Sequence, residues 1–178
     1  MGSPSRRIRI LAFFKTLIFE PGYSAAENFV EAYYTALRSS RASLSSFYSA
    51  PSAMPDGKPL PAIVFNGNVI PDAAEFQNMF EKQMPPAHYE IQSYDCHVLN
   101  PNYAADGVEA GSGGSGKNMS IMLMVSGYVK FGELRDAEMR GFSETFVLIP
   151  TPGTTTSKER GKRGNQWLIQ CQNFRLVV

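Results

Sequence analysis

Arg175 is the residue that first asks for a chemical explanation. It is the only charge in the stretch Asn165 to Val178, NQWLIQCQNFRLVV, and it stands between Phe174 and Leu176. A guanidinium stays charged in a protein, so it must reach water or a carboxylate. Proton transfer is the next chemistry to weigh. Tyr33, Asp95 and Glu144 would suit it if they lined one cavity, because a carboxylate in an apolar pocket has a raised pKa. No histidine joins them on a compatible face, and the plainer reading is that both acids are hydrogen-bonded structural groups. His88 and His97 lie nine apart on one predicted strand, a spacing that sends them to opposite faces, with Cys96 again opposite His97. No metal site is expected from them. The glycines at 111 to 116 lack the strand-to-helix context of a phosphate-cradling loop and read as a linker, and no GxSxG turn is present. Lys158, Arg160, Lys162 and Arg163 face the single Glu159 in the loop 151–164. Without interleaved aromatics such a loop would touch nucleic-acid phosphates rather than read bases; a solvated loop is the plainer reading. Catalytic residues, metal and cofactor are therefore all expected to be absent.

The totals fit one domain with a substantial core: 178 residues, 43% apolar and 12% aromatic. A formal net charge of +1 gives no global attraction to nucleic acid or membrane, so any basic contact must be local. Cys96 and Cys171 are too few for a disulfide-built secreted fold, which favours a reducing nuclear or cytosolic setting. The first 20 residues carry Arg6, Arg7, Arg9 and Lys15 with no acid before Glu20. Their apolar run is interrupted by charge and too short to span a bilayer. Their composition is presequence-like; they read as an extension, packed on the domain or left by gene-model or cloning boundaries, with a targeting or membrane-surface role as the alternative. The domain is expected over 21–178, with a flexible loop at 104–117 that is either natural low complexity or an inserted replacement.

Three helices come first. Ser24 and Glu27 have capping-box spacing, and Ala26, Phe29, Val30, Tyr33, Tyr34 and Leu37 make one apolar face behind them. Leu44, Phe47 and Tyr48 repeat that spacing on a second, shorter helix. Ala50 to Pro61 holds four prolines and a glycine and reads as a loop. Ile63 to Phe65 forms a short strand turning at Asn66-Gly67-Asn68, and Asp72 caps a third helix with Phe76, Met79 and Phe80 inward. The period then changes to two. Strands are expected over His88 to Leu99, Met119 to Phe131, Phe142 to Ile149 and Trp167 to Val177, an antiparallel meander wrapped around the helices in an α+β layout.

Alternation gives each strand two sets of side chains. Ile121, Leu123, Val125, Val129, Phe142, Phe146 and Leu148 belong over the helices. Met122, Met124, Ser126, Tyr128 and Lys130, with Ser143, Thr145 and Val147, form the other set. That set is too apolar for bulk solvent and too polar for a core, as a buried partner surface would be. Asn173 and Arg175 join it if Phe174 and Leu176 point inward. A bulge near Cys171 would reverse the phase for Trp167 and Ile169.

The helix FVEAYYTAL, the FNGN turn with its following helix, the strand HYEIQSYDCHV, and then VSGYVKF, FSETFVL and NFRL stand in a familiar order. Over about Ala25 to Val178 the chain resembles nuclear transport factor 2-like domains. More closely it is similar to the small subunits of mRNA export receptor heterodimers, the partners of TAP-type or, in fungi, Mex67-type large subunits. The resemblance implies a conical α+β fold whose open sheet face packs on the large subunit's own transport-factor-like domain. It implies no enzyme and no cofactor, but a stabilising subunit that shuttles between nucleus and cytoplasm and meets nucleoporins mainly through the complex. Arg175 falls on the family's last-strand arginine, with Asn173, Met122, Met124, Ser126, Tyr128, Thr145, Val147 and Tyr94 as its companions at the interface. RNA or ribosomal cargo would touch the basic loop. Two alternatives stay open. Homodimeric members that carry Ran-GDP have an acid after the turn aromatic, where this chain has Asn66 after Phe65. Isomerases and dehydratases of the same fold use the cone between helices and sheet.

Overall fold

The computed structural model describes residues 24–103, 119–132, 138–152 and 167–177. The extension 1–20, the glycine-rich loop 104–117 and the basic side chains Lys158, Arg160, Lys162 and Arg163 lie outside the described residues.

Helix α1 covers 24–39 and buries the face its spacing predicts, with Tyr33 and Leu37 at its centre. The second helix is a 3₁₀ helix, Arg41–Phe47, rather than an α-helix. Its serines explain the tighter winding: Ser43 Oγ donates to the Ser40 carbonyl and Ser46 Oγ to the Ser43 carbonyl, each at 2.7 Å, so side chains compete for backbone acceptors three residues back. Leu44 and Phe47 are nevertheless buried as expected. Within the proline-rich segment expected to be a loop, β1 (Ser52–Ala53) and β2 (Pro59–Leu60) form a small antiparallel ribbon. Gly57, at φ 84°, permits the turn that joins them.

β3 (Ala62–Phe65) and β4 (Asn68–Ile70) form the expected hairpin. Asn66 at φ 48° and Gly67 at φ 87° supply the left-handed pair that a two-residue turn needs. Helix α2 (Ala73–Lys82) starts where Asp72 Oδ1 accepts from the Glu75 amide at 2.8 Å, and it buries Phe76 and Phe80. Arg41 ties the two short helices together. Its guanidinium donates to the carbonyls of Phe80 (2.6 Å), Met84 (2.8 Å) and Pro85 (2.6 Å) at the end of α2.

The long strands follow as β5 (Ala87–Asn100), β6 (Ser120–Phe131), β7 (Met139–Pro150) and β8 (Trp167–Val177), in the sheet order β4-β3-β8-β7-β6-β5. β8 is interior, as its composition predicts, between β7 and β3. Its pairing with β3 is parallel, so the sheet is mixed rather than antiparallel throughout. A parallel pair needs a long crossover, and here α2 and the whole meander provide it. The curved sheet and the helices enclose an aromatic core. Phe65 stacks on Phe174 at 4.6 Å, Phe174 on Phe142 at 5.5 Å, and Phe146 meets both Phe29 and Tyr33 edge-on.

Candidate partner interface

The sheet has two faces with different chemistry. On the inner face, among the core aromatics, β7 places Glu144, which is only 2% exposed. Tyr34 donates to one of its oxygens at 2.5 Å, and Gln172 Nε2 donates to the other at 2.6 Å. Gln172 Nε2 also reaches Tyr33 Oη at 2.8 Å, and Tyr48 donates to Gln172 Oε1. Burial pushes the Glu144 carboxyl up to about 7, against the pull of the Tyr34 and Gln172 hydrogen bonds, which favour its charged form. Both oxygens are thus engaged within the core, as a structural acid requires. Tyr33 belongs to this network, but Asp95 does not: it lies on the opposite face, exposed, with Oδ2 3.2 Å from His97 Nε2. The three proton-transfer candidates are not brought together.

The outer face is built of rows that run across four strands. His97, Met122, Val147 and Cys171 make one row; Asp95, Met124, Thr145 and Asn173 the next. Ser93, Ser126, Ser143 and Arg175 follow, and then Glu90, Tyr128, Gly141 and Val177. Met124 is 38% and Tyr128 46% exposed, while the alternate residues Leu123, Val125 and Val129 of the same strand are buried. Met122, Met124, Ser126, Tyr128, Thr145, Val147, Asn173 and Arg175 therefore share one face, as the alternation predicts. Among the described residues Arg175 makes no ion pair, and it is exposed.

Two bulges decide the rest. Register slips between Val147 and Leu148 against β8, where Gln170 is the extra residue, so Trp167 and Ile169 point inward with Gln172 and Phe174. This is the reversal that the sequence leaves open near Cys171. A second slip, at Gln92 between Ile91 and Ser93, shifts the phase of β5. It carries Tyr94 to the inner face, opposite Val125 and packed on the core, which corrects its assignment to the outer set. The same slip puts His88 and His97 on one face rather than two, opposite Lys130 and Met122. Ser93, Asp95 and His97 thereby join the outer face unforeseen; Ser93 and Ser126 share a hydroxyl hydrogen bond of 2.8 Å. Among the described residues no three histidines, cysteines or acids gather into a metal-binding group, and no helix is long and apolar enough to cross a membrane. Asn66 is bound into the sheet: its backbone N–H donates to the Phe174 carbonyl at 2.8 Å and its Oδ1 accepts from the Leu176 amide at 3.3 Å.

Solved structures share this fold. A chain of the Chaetomium thermophilum Mex67 NTF2-like domain complexed with Mtr2 is 27% identical, with a TM-score of 0.72 over 88% of this chain and 99% of its own. A chain of the Mex67:Mtr2 complex bound to a Sac3N peptide is 25% identical, with a TM-score of 0.70 over 88% and 99%. The NTF2-related export protein 1 of Bos taurus is 24% identical over 147 residues, 82% of this chain and 87% of that protein. The model of the nuclear transport factor 2 (NTF2) domain matches residues 25–156, which takes in the three helices from Ala25 on, the hairpin and three of the four long strands. The chain belongs to the nuclear transport factor 2 domain family.

Proposed function

We propose that this chain is the small, non-enzymatic subunit of a heterodimeric export receptor, which docks by its outer sheet face on the transport-factor-like domain of a large subunit and so supports mRNA export through nuclear pores. The observation that carries this reading is the outer face itself: exposed methionine and tyrosine among serine, threonine and valine, with an exposed arginine that makes no ion pair among the described residues. The relatives support it, since one is an export protein and others are chains of complexes between Mex67 and Mtr2. In this reading Arg175 pairs with a carboxylate of the large subunit and sets register more than it adds affinity. The engagement of both Glu144 oxygens within the core supports a scaffold rather than a catalyst. The protein shuttles between nucleus and cytoplasm as part of the complex and meets nucleoporins mainly through it. Contacts of Lys158, Arg160, Lys162 and Arg163 with RNA or ribosomal cargo would be phosphate contacts that weaken steeply with salt.

Affinity purification of the tagged chain from its own cells, followed by mass spectrometry, tests the reading. One stoichiometric large export-receptor subunit is expected, and its absence would refute the heterodimer. Arg175→Ala leaves the partner's acid buried and unpaired, at a cost of about 2–5 kcal/mol, or about 30-fold or more in affinity. Copurification of Arg175→Ala at unchanged affinity would remove the role given to that side chain.

A further inference from the structure

Gly141 stands in the interior of the sheet, between Tyr128 of β6 and Val177 of β8, yet its backbone does not require glycine. Its φ is outside the left-handed region, and a Cβ added there would meet only Val177, the carbonyl oxygen at 3.5 Å and Cβ at 3.6 Å, which is ordinary contact. Gly127 on the next strand differs: its Cβ would stand 2.1 Å from the Glu90 carbonyl oxygen. A glycine inside a strand weakens the sheet, and apart from bulges and bends it often stands where a ligand or another backbone approaches closely.

An open depression of about 480 Å³ lies on the outer face around Gly141, lined chiefly by Gln92, Ser126, Tyr128, Ser143 and Val177. Its lining carries no charge. Charges border it instead: Arg175 lies beyond Ser143 in the same row, and Glu90 beyond Tyr128. A neutral hollow with an exposed tyrosine wall and charged borders fits a bulky uncharged side chain, with the ionic contact made at the rim.

We infer that the part of this depression over Gly141 is a socket for one bulky apolar side chain, aromatic to match Tyr128, presented by the sheet face of the large subunit's transport-factor-like domain. The inference rests on the heterodimer reading and sharpens it. Gly141 is then a specificity-determining residue, kept small for its partner rather than for its own fold. Gly141 and Arg175 occupy adjacent rows, so the partner's apolar side chain and the carboxylate that meets Arg175 must also be neighbours on its face.

Filling the socket tests this. Gly141→Leu and Gly141→Ala are made in the full chain, melted, and titrated by calorimetry against the purified transport-factor-like domain of the large subunit. Both variants should melt no lower than wild type, because a side chain suits a strand better than none, its Cβ meets only ordinary contacts, and leucine's further atoms have the open depression to enter. Leucine should weaken binding by about 30-fold, the loss expected at an interface hot spot, and alanine by less. A folded leucine variant that binds within about two-fold of wild type would overturn the socket while leaving the heterodimer intact. If leucine fails to fold, an alanine variant that binds like wild type overturns it equally. Failure of wild type itself to bind would remove the heterodimer reading and the socket with it.

Discussion

Replacing Glu144 by glutamine keeps the side chain's shape but removes the only buried carboxyl among the described residues. Folding moves that carboxyl from its ordinary 4.5 to about 7, because burial outweighs the hydrogen bonds from Tyr34 and Gln172. At about 1.36 kcal/mol per pH unit, this corresponds to about 3 kcal/mol of pH-dependent stability. The sign follows from which state holds the proton. Below pH 4.5 both states are protonated and the contribution is fully present. As pH rises towards 7, the unfolded chain gives up its proton first, so the contribution is lost, and it is gone above the folded pKa. Wild type should therefore lose stability relative to Glu144→Gln between pH 5 and 8, by about 3 kcal/mol, or about 6–12 °C in melting temperature for a domain of this size. Urea unfolding at several pH values measures this, with the fluorescence of the single, buried Trp167 as the probe. Tyr34→Phe removes one donor to the carboxylate and should carry the loss to still higher pH. Parallel stability curves for wild type and Glu144→Gln would refute the description of Glu144 as a carboxyl held partly protonated by burial.

Substitutions at two further positions test the packing of the sheet and of the helices. Gly127→Ala forces a methyl group against the Glu90 backbone and should cost about 1–3 kcal/mol by displacing β5 at the Gln92 bulge; an unchanged melting temperature would contradict the close approach there. Arg41→Ala removes the donor to three carbonyls at the end of α2 and should cost about 2–3 kcal/mol in chemical unfolding. Arg41→Lys should recover little, since an ammonium cannot reproduce the fork; full recovery would mean that charge alone holds the helix end.

Local patterns made much of this legible in the sequence. Strict alternation through Ile121 to Val129 and Phe142 to Leu148 separates the two faces, and the Asn66-Gly67 pair marks its hairpin because few residues accept φ above zero. Long-range pairings left no such mark. The parallel contact between β3 and β8 joins Ala62 to Cys171 across most of the domain, and neither segment alone announces it. The bulges at Gln92 and Gln170 each add one residue without a glycine or proline to betray it. One unmarked residue was enough to reverse the faces of Tyr94, Asp95 and His97, because a period of two turns over with every slip. The inner network was visible only as separate residues. That Tyr33, Tyr34, Tyr48 and Gln172 meet at Glu144 depends on α1, the 3₁₀ helix and β8 closing over the same strand.

On the proposed function, the outer face serves a different protein and not a second copy of this chain. Light scattering of the chain, alone and mixed with the purified transport-factor-like domain of the large subunit, tests it most directly. Wild type should form a species whose mass is that of the domain plus one copy of the 19.7 kDa chain, and Arg175→Ala should weaken it. A stable species of twice the chain's own mass that persists when the domain is added would contradict it.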